Sequence, residues 1–196
     1  LVIARNTKSI QGKLKNSANL FTNEGDISNP AFRQDLAQKI SDNWGKLDVL
    51  VNNVATNIRK KFIEYSEEEI RQLFETNLFS MMELTRLCHP MLKKSGHASI
   101  INIASVAGMQ DVQSGPPYGM TKAAIIQFTK HLAAEWSVDQ IRINAISPWY
   151  IETPLTEPVL LWGGLANLLR LPVLPAIWLW IRVATSRGRI FRLMAV

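Results

Sequence analysis

The sequence predicts an α/β fold, a doubly wound parallel sheet flanked by helices, and two observations predict it. Apolar runs of strand length occupy residues 1–4, 47–51 and 98–104, with helical stripes between and beyond them. The run at 98–104 ends at Ser105, and the helix that follows opens with Tyr118 and carries Lys122. A residue at the carboxyl end of a strand and a pair entering the next helix reach the same sheet edge. Open α/β sheets bind their ligands there.

The totals bound the rest. A length of 196 residues fits one domain, and 47% hydrophobic with 19% charged residues is ordinary for a globular chain. Cys88 is the lone cysteine, so no internal disulfide forms, and no Cys/His spacing suggests a metal site. The formal charge of +6 comes from dispersed Lys and Arg without an aromatic-basic array, which argues against a nucleic-acid partner. This cysteine usage fits a reducing compartment, and a cytoplasmic location is the expectation.

Taken in order, residues 1–4 are an apolar strand. The stretch 7–20 is polar and weakly patterned, a poor helix, and 20–22 is a short strand candidate. The next helix has clean boundaries: Asn29 as N-cap, Pro30 at the first helical position, a stripe of Phe32, Leu36 and Ile40, and Gly45 as its stop. Residues 47–51 then form a short buried strand that delivers Asn52 and Asn53 to the ligand edge. Ser66 and Glu69 have capping-box spacing and start a helix striped by Ile70, Leu73, Phe74, Leu78, Met81 and Met82. Asn77 lies on that stripe, where an unpartnered amide costs about 1–3 kcal/mol, so it requires a specific partner. Pro90 lacks an N–H and is expected to close this helix behind Cys88 and His89. After the strand ending at Ser105, residues 106–108 turn away, and a helix from 117 runs to about 136 through Ala123, Ala124, Ile125, Ile126 and Phe128. His89, His97 and His131 have no acid or metal partner close in sequence and read as packing or capping residues.

Tyr118 and Lys122 are four residues apart, one turn along the same helix face, so the ammonium lies close to the phenol. A free tyrosine keeps its proton up to pH ~10. A fixed positive charge beside it favours the phenolate and suits it to exchange a proton with an alcohol or carbonyl oxygen.

Several segments together resemble the short-chain dehydrogenase/reductase family, and its tropinone reductase-like branch in particular. They are Ser105 with Tyr118 and Lys122, the turn of Asn52, Asn53, Val54 and Ala55, the pair Thr76 and Asn77, and the segment 141–148. Asn57, Ile58, Arg59 and Lys60, with residues 148–154, point to the branch. The resemblance covers roughly residues 1–158 and implies a Rossmann-like domain there, incomplete at both ends.

What the resemblance implies is an oxidoreductase acting on a small carbonyl or alcohol, with Ser105, Tyr118, Lys122 and Asn77 as catalytic residues. Its cofactor contacts would be Arg5, Asp26, Ile27, Asn52, Asn53, Tyr118, Lys122, Ile151 and Thr153. Arg5, just past the first strand, suits a 2′-phosphate and favours NADP(H) over NAD(H). The two long helices imply a homodimer or homotetramer. In two respects the sequence departs from the pattern. None of its ten glycines forms the phosphate-binding G-x-x-x-G-x-G turn. From about residue 160 it continues as an apolar and basic tail, 159–196, whose longest apolar run of eleven residues falls short of the ~20 a bilayer span requires. The sequence therefore also admits a catalytically silent module of this fold that acts through its helices.

Overall fold

A computed structural model describes residues 1–5, 21–149, 183–184 and 190–191. Its strands are β1 (Val2–Ala4), β2 (Thr22–Glu24), β3 (Val49–Asn52), β4 (Ser99–Ile103), β5 (Arg142–Ile146), β6 (Val183–Ala184) and β7 (Ile190–Phe191). β1 and β2 pair in parallel as a two-stranded unit, while the second sheet runs β3-β4-β5-β6-β7. β3, β4 and β5 are mutually parallel, and β6 and β7 add antiparallel pairs at the far side. The parallel order brings the carboxyl ends of β3, β4 and β5 to one edge.

The helices are α1 (Pro30–Trp44), α2 (Glu67–Phe74), α3 (Ser80–Ser95) and α4 (Pro116–Glu135). Side-chain alternation in the strands shows where they pack. Leu50, Ile100 and Ile143 point to one face and share a core with Leu36 and Ile40 of α1, Leu92 of α3 and Leu132 of α4. On the opposite face, Val49 and Val51 are each 53% exposed. Among the described residues, then, the helices cover one side of the sheet, although parallel sheets are ordinarily covered on both.

Local signals explain most boundaries. The Asn29 side chain accepts from the backbone N–H groups of Ala31 and Phe32 at the start of α1, and Gly45 ends that helix at φ 65°. Ser66 and Glu69 form the expected capping box on α2. Two expectations require correction. The helix expected to run unbroken from residue 66 instead contains a π-turn at Glu75–Phe79 between α2 and α3. Pro90 stands near the end of α3 rather than at it: the helix, expected to reach about residue 93, continues to Ser95 and is capped by Gly96 at φ 73°. Only one N–H is missing there, and Met91 and Leu92 beyond it are buried in the core, so packing outweighs the proline's cost near a helix end.

The histidines do find partners. His89 Nε2 lies 2.8 Å from Asp139 Oδ2, and its ring sits 4.3 Å from that of Trp136. Residues 7–20 and the apolar run after residue 160 lie outside the described residues. Among the described residues no helix is long and apolar enough to cross a membrane.

Candidate active site

Ser105 follows β4 and caps a short 3₁₀ turn, Val106–Gly108, its Oγ accepting from Ala107 N at 3.1 Å. That turn is tied to the exit of β5, because Val106 N donates to the Pro148 carbonyl at 3.1 Å. It also presses directly on α4. A Cβ on Gly108 would stand 2.6 Å from backbone atoms of Lys122 and Ala123, and one on Gly119 would stand 2.9 Å from the Ala107 carbonyl. Two missing side chains thus let the serine turn dock against the helix segment that carries Tyr118 and Lys122. Gly108→Ala should cost about 1–3 kcal/mol of unfolding free energy through overpacking and should lower turnover as the turn moves off the helix. Urea denaturation combined with kcat measurement checks this; unchanged values of both would remove the glycine from the account.

Lys122 is 2% exposed, and its Nζ donates to the Ile103 carbonyl at 2.8 Å. Burial lowers its pKa to about 8. The same Nζ stands 5.6 Å from the centre of the Tyr118 ring. Ser105 and Tyr118 line one pocket, bounded also by Val112, Pro148 and Trp149.

Asn77 has the partner its burial demands. Its Oδ1 accepts from Thr56 N at 2.8 Å and its Nδ2 donates to the Thr56 carbonyl at 2.9 Å, a two-point clamp on the loop after β3. A longer contact of 3.3 Å reaches Thr121 Oγ1, next to Lys122 in the chain. Asn77 sits within the π-turn that joins α2 to α3, where the helical repeat takes in one extra residue.

The remaining predicted site residues divide. Arg5 and Asp26 lie close enough that the arginine contributes to holding the Asp26 carboxyl below its usual range, after the larger effects of its bonds from Ser28. The Ile27 side chain is buried in the core. Asn53 is exposed at the ligand edge. Asn52 instead belongs to an internal ladder: its Nδ2 donates to Thr85 Oγ1 at 3.0 Å and to Asn102 Oδ1 at 2.8 Å, and Asn102 Nδ2 donates to Thr129 Oγ1 at 2.9 Å. Ile151 and Thr153 lie outside the described residues.

Sequence reasoning missed Arg33. Buried in α1, its Nη1 donates to the carbonyls of Ile27 and Ser28 at 2.7 and 2.9 Å and to Glu75 Oε1 at 3.1 Å. It straps the loop after β2 to the π-turn that bears Asn77. An arginine on an otherwise apolar stripe was the available signal.

A strand-end serine docked on a helix with a buried lysine beside a tyrosine is an arrangement for proton exchange with an oxygen. The family model described as short chain dehydrogenase matches residues 1–162. The chain belongs to the short-chain dehydrogenase family. A tropinone reductase homolog of Arabidopsis thaliana is 49% identical over 129 residues, which are 65% of this chain and 49% of that protein. Senescence-associated protein 13 of the same plant is 41% identical over 159 residues, 79% of this chain and 59% of that protein. The chain therefore spans about half the length of these curated relatives. Among solved structures, the ligand-free aldohexose dehydrogenase of Thermoplasma acidophilum superposes with a TM-score of 0.68 at 29% identity, covering 74% of this chain and 56% of that one. This short-chain dehydrogenase falls in the tropinone reductase-like branch, and its fold class is the Rossmann-like one of its structural neighbours.

Proposed function

We propose that the chain carries the catalytic residues of an NADP(H)-dependent oxidoreductase that interconverts a carbonyl and a secondary alcohol. The observation behind this reading is the buried Lys122 ammonium beside Tyr118, the tyrosine that lines one pocket with Ser105. Ser105 donates a hydrogen bond to the carbonyl oxygen, and Tyr118 gives that oxygen its proton. Lys122 holds charge beside the phenol and would hold the ribose hydroxyls of a bound cofactor. Asn77 fixes the loop after β3 and, through its place beside Thr121, links the lysine's surroundings to water.

The donor set fits the nicotinamide half of a dinucleotide: a buried lysine, an exposed Asn53 and a hydroxyl pair converge on the carboxyl ends of parallel strands. A bound nicotinamide supplies the hydride. Arg5, with Asp26 beside it, stands at the end of β1 to receive the adenosine half, and its guanidinium suits a 2′-phosphate. Half-exposed Phe79 on the π-turn and Met120 on α4 extend the apolar surface of these helices, which supports a homodimer or homotetramer. A cytoplasmic location is consistent with the buried, unpaired Cys88.

A fluorescence titration of the purified chain with NADPH, with NADH beside it, tests the reading. Because none of its glycines forms the phosphate-binding turn, the chain as given is expected to bind nucleotide poorly and to turn over little or nothing by itself, with NADPH preferred over NADH in whatever binding remains. A folded chain that binds neither nucleotide would instead favour the silent-module reading.

A further inference from the structure

The loop that joins β3 to α2 is held at nearly every residue. Thr56 is clamped by Asn77. Asn57 Nδ2 donates to the Ser114 carbonyl at 3.1 Å, and the Ile58 carbonyl accepts from the Tyr65 hydroxyl. Lys60 Nζ pairs with Glu69 Oε2 at 2.5 Å. Between these fixed points stands Arg59, which forms no ion pair among the described residues. Its Nε is shut off from solvent without a hydrogen-bond partner, and so is Asn57 Oδ1. Both residues line the pocket that holds Ser105 and Tyr118.

Buried polar groups are ordinarily paired, and the exceptions call for an explanation. Here the donor belongs to a permanent cation on a braced loop, and two residues earlier in the chain the acceptor is an amide oxygen whose nitrogen is already committed. Arg59 therefore brings a cation with no carboxylate partner among the described residues to the wall of the pocket that holds Ser105 and Tyr118. We infer that Arg59 forms an anion subsite, so that the substrate of the proposed reaction is an oxo acid or hydroxy acid whose carboxylate pairs with Arg59. A planar guanidinium matches a carboxylate through two parallel N–H···O bonds. One arginine balances a single negative charge, which matches a carboxylate and falls short of a dianionic phosphate monoester. The inference rests on the oxidoreductase reading for its reaction but not for its binding.

The probes are 4-oxopentanoate and its methyl ester, which share a ketone and differ in charge, with inorganic phosphate as a third arm. Titrations of the full chain are followed by NMR at the Arg59 Nε–H resonance, assigned by its loss in Arg59→Lys. The acid is expected to shift that resonance saturably and to bind roughly ten-fold or more tightly than the ester. Arg59→Met should bring the acid-to-ester ratio close to one, Arg59→Lys should fall between, and phosphate should not displace the acid. Equal affinity for acid and ester, a ratio unchanged in a folded Arg59→Met, or displacement by phosphate at equal concentration overturns the subsite. Acid binding at Arg59 without turnover of either ketone at saturating NADPH leaves the subsite standing and defeats the oxidoreductase reading alone.

Discussion

Tyr118→Phe should lower turnover on any substrate of the enzyme by roughly 10²- to 10⁴-fold, the usual contribution of a positioned general acid or base. The substitution removes one oxygen and leaves the ring that packs near Lys122. Nucleotide affinity should therefore change little, and the loss should fall on kcat. Single-turnover kinetics with NADPH separate the two. Wild-type turnover in the phenylalanine variant would sink the assignment of Tyr118 as proton donor, whatever else the pocket does.

The second large effect concerns stability and pH. Lys122 has a folded pKa of about 8 against an ordinary value of 10.5, because burial disfavours its charge. Below pH 8 both folded and unfolded chains hold the proton, and the cost of burying the charge is fully present. Between pH 8 and 10.5 the unfolded chain binds the proton and the folded chain does not, so stability rises with pH in that window. The whole gap is worth roughly 3 kcal/mol. Cys88 works against it: burial pushes its thiol up from 9.0 to about 12, so above pH 9 the folded chain is the one that keeps a proton, and stability falls. The two slopes oppose each other above pH 9, which confines the clean signal to pH 8–9, where a gain of about 1 kcal/mol is expected. Lys122→Met should abolish that gain and be more stable than the parent at pH 7 by roughly 1–3 kcal/mol, while losing turnover. Urea denaturation at pH 7, 8 and 9 decides the matter; a parent curve flat from pH 8 to 9 would mean that the lysine is better hydrated than its surroundings imply.

Much of this was legible because the signals are local. Asn29, Pro30 and Gly45 mark α1 through backbone groups within a few residues of each other, and the Ser66/Glu69 box does the same for α2. The Tyr118/Lys122 spacing is legible for the same reason. What escaped depends on distant partners. A π-turn gains its justification from Thr56, twenty-one positions away from Asn77, and no periodicity within the helix announces it. His89 reads as partnerless until Asp139 arrives from fifty positions downstream. Pro90 reads as a stop because local rules count its missing N–H and not the core that Met91 and Leu92 fill. The role of Arg33 depends equally on carbonyls and a carboxylate supplied by other segments.

The ladder of Asn52, Thr85, Asn102 and Thr129 also works as a register key. Because side chains alternate across a sheet, a one-residue slip of β3 against β4 would carry Asn52 to the opposite face and strand the Asn102 oxygen in an apolar interior. Each orphaned group would cost about 1–3 kcal/mol, against almost no change in the backbone hydrogen bonds that slipping preserves. In strands whose other residues, Ser99 apart, are interchangeable Val, Leu and Ile, those two amides distinguish the native alignment from its nearest competitors. The chemistry at the sheet edge inherits its alignment from them.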